Sequence, residues 1–453
     1  MMVKNMTENQ MLVLVIKYLK ESKKAAIQEI LDELHPYDFA QLYRGLPEKH
    51  HHKFLLFLTP QQIADLIQEL ESDMQIEILH KLGIERSSNI MNLMDNDDLA
   101  DLLSELSVDR IQEFLEGMKQ EESQTVRDLM SYPPDTAGGL MTNQFIWIKE
   151  YHTVREAVDK LKHYASFSEN IYYLYVINDN KKLVGVISYR DLLIANLEDK
   201  ISDLMFSRVV SVPVDADQEE VAQIIERYDF ISVPVIDNEN TLLGIITVDD
   251  AMDVLIEEAN EDIHKISATG KDIDFNTKAT VASTRRLPWL ILLLFIGLVS
   301  GGIISRFEAT LEQVVALIFF MPMIAGMTGN TGTQSLAVVV RGIVTTDVDR
   351  KTTIRLIFRE LRVGIIIGIT CGLLISIIAY FWQGQNMILG FVVGLSLLLT
   401  LIIGTLAGTV IPLLLYRLGV DPAVASGPLI TTLNDIFSLM IYFGIATAFL
   451  NAL

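Results

Sequence analysis

The last third of this chain contains apolar runs long enough to cross a lipid bilayer, and nothing else in the sequence restricts the fold as severely. A spanning helix needs about 20 apolar residues. Five segments meet that length, at about 287–304, 314–340, 363–382, 388–416 and 427–450. The second, fourth and fifth carry glycine, proline or polar interruptions. Such breaks are tolerated where the backbone packs on protein or lines a wet cavity.

Charge divides the chain at the same place. The 453 residues carry a net charge of −22. Residues 1–284 hold 26 basic and 51 acidic side chains, whereas residues 285–453 hold 10 and 7. An acidic portion therefore precedes a nearly neutral, apolar one. This balance argues against a nucleic-acid partner, whose phosphates attract a basic face. Cys371 is the single cysteine, so neither an intrachain disulfide nor a thiolate metal cage is available. The opening residues show no long apolar run or small-residue cleavage site, so no signal peptide is expected.

Orientation follows from the loops, because Lys and Arg collect on the cytoplasmic side. Arg285 and Arg286 precede the first run. Arg350, Lys351, Arg355, Arg359 and Arg362 lie between the second and third, and Arg417 between the fourth and fifth. The alternate loops hold only Arg306, offset by Glu308 and Glu312, or no charge at all (383–386). The pattern places residues 1–284 in the cytoplasm and the C-terminus outside. Trp289 and Trp382 sit at run ends, as interfacial aromatics do, with core packing as the alternative.

Polarity within the runs marks where function should lie. The fifth holds Asp435 beside Asn434, eight residues past Gly427 and so about 12 Å along a helix. A carboxylate at that depth is costly unless it faces water, a partner or a cation. It is either functional or bonded to a neighbouring helix. The second run contains Pro322 and then Gly326-Met327-Thr328-Gly329-Asn330-Thr331-Gly332-Thr333-Gln334. Its glycines permit close helix packing, and its Asn330, Thr and Gln side chains offer uncharged oxygens. Oxygen ligands favour hard cations such as Mg²⁺, which sheds water reluctantly and is usually held by one or two carboxylates. No histidine lies after His264, so a Zn²⁺ or Cu⁺ ligand set is missing there. One Asp435 from each of two chains would supply two carboxylates to a hydrated ion.

Residues 141–262 contain a direct repeat. Leu140-Met141 and Leu204-Met205 open the copies, and each continues with a strand (145–148; 209–212), a helix (153–164; 217–228) and a second strand (173–178; 232–237). The copies end on Leu-Val-Gly-Val-Ile-Ser-Tyr-Arg-Asp (183–191) and Leu-Leu-Gly-Ile-Ile-Thr-Val-Asp-Asp (242–250). Ser188 and Asp191, with Thr247 and Asp250, are the polar residues of these endings, which also read as ordinary strand-to-helix caps. Residues 8–130 read as short helices, with Phe39-Ala40-Gln41-Leu42, Ile63-Ala64-Asp65-Leu66 and Leu99-Ala100-Asp101-Leu102 as variants of one phrase. Such self-similarity predicts stacked helix pairs in a superhelix. His50-His51-His52 is read as a solvated helix end rather than a metal tract.

An acidic helix precedes the apolar third. Asp249, Asp250, Asp253, Glu257, Glu258, Glu261 and Asp262 fall within fourteen residues that contain no Lys or Arg. Asp249, Asp253, Glu257 and Glu261 are spaced by four and form one stripe. Like charges at that spacing destabilise a helix by about 0.2–0.5 kcal/mol per pair. The stripe is either a solvated face or a site for a compensating divalent cation. A second acidic group, Asp95, Asp97, Asp98 and Asp101, could face it across a domain boundary.

Together these features resemble the bacterial MgtE family of magnesium channels and transporters, over essentially the whole chain. The motifs that carry the resemblance are Asp135-Thr136-Ala137-Gly138-Gly139-Leu140-Met141-Thr142, the tandem repeat (a CBS pair), Gly329-Asn330-Thr331-Gly332-Thr333-Gln334, Asp421-Pro422-Ala423-Val424-Ala425-Ser426-Gly427-Pro428, and Asn434-Asp435. The resemblance implies a multi-domain membrane protein. Its parts would be an all-α N-terminal superhelical domain (1–135), an α/β tandem CBS module (136–200 and 201–257), a connecting plug helix (258–280) and a five-helix α transmembrane domain (281–453). It implies a homodimer in the lipid bilayer of the bacterial plasma membrane, with a pore lined by the second and fifth spans. There Asp435 would hold hydrated Mg²⁺, with Asn434 and Asn330 nearby. The plug would close when cytoplasmic Mg²⁺ bridges Asp97 and Asp101 to the acidic helix. Mg²⁺ would then be both substrate and regulator. Some members bind ATP in the CBS module, and Tyr173, Ser188, Arg190, Asp191 and Phe230 occupy that position. The rival readings are a CBS-regulated membrane-embedded enzyme and a non-transporting Mg²⁺ or nucleotide sensor. The enzyme would need a nucleophile and base, and no histidine lies in the membrane third. The sensor leaves Asp435 unexplained.

Overall fold

The computed structural model describes residues 6–164, 168, 170–269, 273, 277–345, 349–382 and 384–451. The chain divides into two compact units, residues 1–256 and 257–453.

The first unit begins with ten short helices between Glu8 and Leu129. Their starts are set by local chemistry. At Pro60–Gln68 the Thr59 hydroxyl accepts from the Gln62 amide (3.2 Å), and the Gln62 side chain accepts from the Thr59 amide (3.0 Å). This reciprocal cap satisfies two of the amides that a helix start leaves open. The recurring phrase has the predicted meaning. Phe39, Ala40 and Leu42, then Ile63, Ala64 and Leu66, then Leu99, Ala100 and Leu102 are all buried, each triplet on its own helix. The helices Pro36–Gly45, Pro60–Gln68, Ile84–Met91 and Val108–Gly117 pack in succession, as stacked repeats require. The histidine run is corrected: His51 is buried, stacks on Tyr43 at 4.3 Å and donates from Nε2 to the Leu46 carbonyl (2.8 Å).

The direct repeat forms two three-stranded sheets of the same design. β1 (Phe145–Lys149), β2 (Asn170–Ile177) and β3 (Leu183–Ser188) form one; β4 (Val212–Pro213), β5 (Ser232–Ile236) and β6 (Leu242–Thr247) form the other. In each the first pair is parallel and the second antiparallel. Tyr173 opposes Ser188 and Val176 opposes Gly185, as Ser232 opposes Thr247 and Val235 opposes Gly244. The opening residues of each copy close the other copy's sheet. Thr142 pairs with Ile245 beside β6, and Phe206 with Val186 beside β3. The expected strand at 209–212 shrinks to Val212–Pro213, because Val209 and Val210 line a cavity instead of pairing.

In the second unit, four of the described helices are long and apolar enough to cross a membrane: Ala279–Arg306, Arg350–Trp382, Met387–Arg417 and Gly427–Ala448. A fifth long helix, Leu317–Thr345, packs against the last two. Small residues set these contacts. Gly364, Gly368 and Gly372 lie one turn apart against Met387–Arg417, and a Cβ on Gly372 would stand 2.7 Å from the Gly394 carbonyl. Such close approach is how helices associate where lipid removes the hydrophobic driving force. The Arg350–Trp382 helix begins thirteen residues before the apolar run at 363, since Lys and Arg are good helix formers.

The connecting segment departs from expectation. The acidic helix Val248–Ile266 starts at the end of the second repeat and stops at Ile266. Ala268 then adopts φ 55°, a left-handed conformation that an α-helix cannot continue through. The next helix starts at Ala279, so no single helix covers 258–280; residues 270–272 and 274–276 of that expected element lie outside the described residues.

Candidate functional site

Among the helices of the second unit, the glycines of the second apolar run meet Thr431 and Asn434 of the fifth at one crossing. Gly329 and Gly332, three apart on Leu317–Thr345, receive Thr431 and Asn434, three apart on Gly427–Ala448. A Cβ on Gly329 would lie 2.8 Å from Thr431 Cγ2, and one on Gly332 would collide with Asn434 Nδ2. Asn434 is wholly buried and donates from Nδ2 to the Thr328 carbonyl (3.4 Å). The glycines thus serve packing, and Asn434 ties the two helices. Its neighbour Asp435 is half-buried, and Asn330 is exposed on the facing helix. Among the described residues the Asp435 carboxylate has no ion-pair partner.

A second grouping lies where the repeats meet the N-terminal helices, within the first unit. Asn96 opens the helix Asn96–Ser104, and its Nδ2 donates to Asn143 Oδ1 (2.8 Å) beside β6. This places the acids of that helix near the start of Val248–Ile266. Gln68 Nε2 donates to both Asp95 (2.7 Å) and Asp98 (2.6 Å). Burial raises the Asp98 carboxyl to about 6; Gln68 pulls the other way, and Asp95, Asp249 and Asp253 add repulsion. Asp250 is likewise raised to about 6, by burial against the Thr247 hydrogen bond, with Asp249 and Asp98 adding repulsion. Glu69 is raised by burial and by Asp253, against Arg44. Carboxylates are crowded here beyond their local compensation. Asp97 is buried and Asp101 exposed on the same helix. Sequence reasoning missed Glu69, which carries no motif. Among the described residues no three His, Cys, Asp or Glu side chains are grouped as a ready-made metal cage.

Within the second unit, Glu257 and Glu261 are exposed, and Glu258 and Asp262 are part-buried. Lys265 Nζ bridges Glu261 (2.8 Å) and Asp421 (2.6 Å). Burial lowers the Lys265 ammonium, but these two carboxylates outweigh it and hold it above its ordinary value. Burial and Asp421 raise Asp262. Lys265 was not foreseen, because its partner lies more than 150 residues away.

The third site is a cavity of about 260 Å³ between the two repeats. Tyr173, Ser188, Asp191 and Phe230 line it, as the motif positions suggested. Arg190 is exposed and is not among the lining residues, whereas Arg208 is. The Ser188 hydroxyl donates to the Asp191 carboxylate and accepts from the Asp191 amide (3.1 Å). Phe230 stacks on Tyr228 with ring centroids 5.3 Å apart. An aromatic wall, a carboxylate and a guanidinium suit a base, a hydroxylated ring and an anionic group respectively.

Comparison with known proteins covers all of these regions. Residues 321–445 match the MgtE model described as a divalent cation transporter. Residues 34–135 match the MgtE intracellular N domain, and 137–198 and 201–257 match the CBS domain. The magnesium transporter MgtE of Bacillus subtilis (strain 168) is 56% identical over 452 residues, with 100% of both chains covered. That of Thermus thermophilus is 37% identical over 450 residues, covering 98% of this chain and 100% of the relative. Among solved structures, the cytosolic domain of the Mg²⁺ channel MgtE in complex with ATP matches with a TM-score of 0.52 and 35% identity. It covers 54% of this chain and 99% of that one.

Proposed function

Because the chain belongs to the MgtE family of magnesium transporters, we propose that its substrate is Mg²⁺, imported through the bacterial plasma membrane down its electrochemical gradient. The observation that carries this reading is Asp435, a half-buried carboxylate in an apolar helix with no ion-pair partner among the described residues. A charge in that position is retained for function. Leu317–Thr345 is the fifth span. A homodimer brings two Asp435 carboxylates to a hydrated ion, Asn330 lines its path, and Asn434 holds the two helices in register. Loop charges place the N-terminus in the cytoplasm and the C-terminus outside.

Regulation follows from the crowded carboxylates. Cytoplasmic Mg²⁺ binding among Asp97, Asp98, Asp101, Asp249, Asp250 and Asp253, and along Glu257, Glu258, Glu261 and Asp262, favours a closed arrangement by its higher affinity for it. A nucleotide such as ATP occupies the 260 Å³ cavity. Asp191 bonds its ribose, and Arg208 rather than Arg190 meets its phosphates. The relative solved with ATP supports this assignment.

The test is Mg²⁺ flux into liposomes containing the purified full chain. Asp435→Ala and Asp435→Asn should both abolish selective flux while the protein stays folded and dimeric. Normal Mg²⁺ preference in either variant overturns the pore assignment. Neutralising Asp249, Asp253, Glu257 and Glu258 together should leave channel activity that persists at millimolar Mg²⁺ in patch recordings. An unchanged closing curve would make the stripe a solvated face.

A further inference from the structure

We propose that the basic face opening the Arg350–Trp382 helix is a docking site for anionic phospholipid headgroups. At about 100° per residue, Lys351, Arg355 and Arg362 fall within about 40° of one another around the helix axis, and all three are exposed. Phe358, on the same face, is 58% exposed. The face continues into the apolar run as Ile366, Ile369 and Leu373, which are 66%, 45% and 62% exposed. One side of one helix thus offers cationic groups at its start and uncovered hydrocarbon along its length. That sequence of chemistry matches a phospholipid from phosphate to acyl chain.

The helix does not neutralise these cations itself. Its carboxylate, Glu360, is 5% exposed and lies on the opposite side, with Gly364 and Gly368. Glu360 accepts from the Ser335 hydroxyl (3.0 Å) and from Arg359 Nη2 (2.8 Å). Asp349, just before the helix, accepts from the Thr352 amide (2.6 Å) as its cap. Among the described residues Lys351, Arg355 and Arg362 form no ion pair, although Asp349 lies close enough to attract Arg355, so the face as a whole remains available for an external anion. Clusters of Lys and Arg beside a spanning helix attract anionic lipid, and the attraction is screened by salt. The exposed isoleucines and Leu373 decide between a lipid and a free phosphate, since a free anion gains nothing from them. The inference rests on the membrane reading of this helix and not on which ion is carried.

Full-length protein in detergent is incubated with equal amounts of phosphatidylglycerol and phosphatidylcholine of matched acyl chains, and bound lipid is counted by native mass spectrometry. Phosphatidylglycerol should be retained several-fold over phosphatidylcholine, and the preference should fall as sodium chloride is raised. The triple variant Lys351→Gln, Arg355→Gln, Arg362→Gln should lose it. The charge-keeping set Lys351→Arg, Arg355→Lys, Arg362→Lys should retain it, and with the salt series this decides the matter if the glutamine variant does not fold. The proposal is overturned by no preference in the unaltered protein, as when a second copy covers this face. An unchanged preference in the glutamine variant, or displacement of the lipid by inorganic phosphate, also overturns it. Liposome flux, measured separately, reports on the transport reading.

Discussion

Ser188 and Thr247 hold the same register in their two sheets, and each hydroxyl donates to the aspartate three residues on. Around Ser188 the pair is open: Asp191 is exposed and lines the cavity with Arg208 and Phe230. Around Thr247 the pair is shut: Thr247 is 4% exposed, and Asp250 is pushed up by burial and by Asp98 of the N-terminal helices. A strand-to-helix ending therefore does not define a ligand site. What packs over it does, and here one copy faces a cavity while the other faces a second acidic domain. The same seven-residue ending is thus open to a cavity in one copy and packed against other carboxylates in the other.

The largest expected effect tests that division directly. Asp191→Ala should weaken ATP binding to the full chain by about ten- to a hundredfold, the loss of one or two hydrogen bonds to a charged group. Asp250→Asn should leave ATP affinity unchanged. Calorimetry on both variants decides, and equal losses would show that the two endings act alike.

A smaller difference between the copies, about 1–2 kcal/mol, concerns the glycines that precede each ending. A Cβ at Gly244 would meet the Thr142 carbonyl and Met141 Sδ, both at 2.7 Å, whereas at Gly185 the three nearest atoms would all belong to the side chain of Met205. A backbone atom cannot step aside as a methionine can. Gly244→Ala should cost about 2–3 kcal/mol and Gly185→Ala about 1 kcal/mol, read from chemical denaturation of the full chain. The reverse order would mean that the copies differ in packing less than their neighbours suggest.

The smallest effect is in pH. Asp98 and Asp250 titrate near 6 when folded, above the ordinary value of 3.8. A raised carboxyl binds its proton more tightly in the folded chain, so its contribution is favourable at low pH and is lost as pH rises from about 4 to about 6. Without divalent cations, stability should fall across that window by about 1 kcal/mol or more, once solvent screening is allowed for. Asp98→Asn with Asp250→Asn should flatten the curve, and so should millimolar Mg²⁺. A slope that persists in both would place the titration elsewhere.

Much of this architecture was legible because it rests on spacing. The repeats announce themselves through an offset of 59 to 64 residues, and the apolar runs through length. The pairs Phe39-Ala40, Ile63-Ala64 and Leu99-Ala100 mark equivalent buried turns. Readings failed where distant residues decide. His51 is buried because Tyr43 stacks on it, and Arg208 reaches the cavity from the opening stretch of the second copy. The connecting helix stops because Ala268 turns left-handed, and no glycine or proline at that position signals the break. At the helix crossing, the glycines and polar residues were visible, but not their division into packing (Gly329, Gly332, Asn434) and exposure (Asn330).

The exchange of opening segments between the two sheets has a consequence for synthesis. Phe206 leaves the ribosome about 20 residues after Val186, so the first sheet gains its closing partner almost at once. Thr142 must wait about 100 residues for Ile245. At about 5–20 residues per second, the segment around Met141 spends on the order of 5–20 seconds without the strand that will cover it. During that interval the nascent chain presents a buried-type methionine and an unfilled strand edge, the kind of surface that chaperones hold and neighbouring chains capture. The first repeat closes as it emerges, whereas the second closes only by reaching back to the beginning.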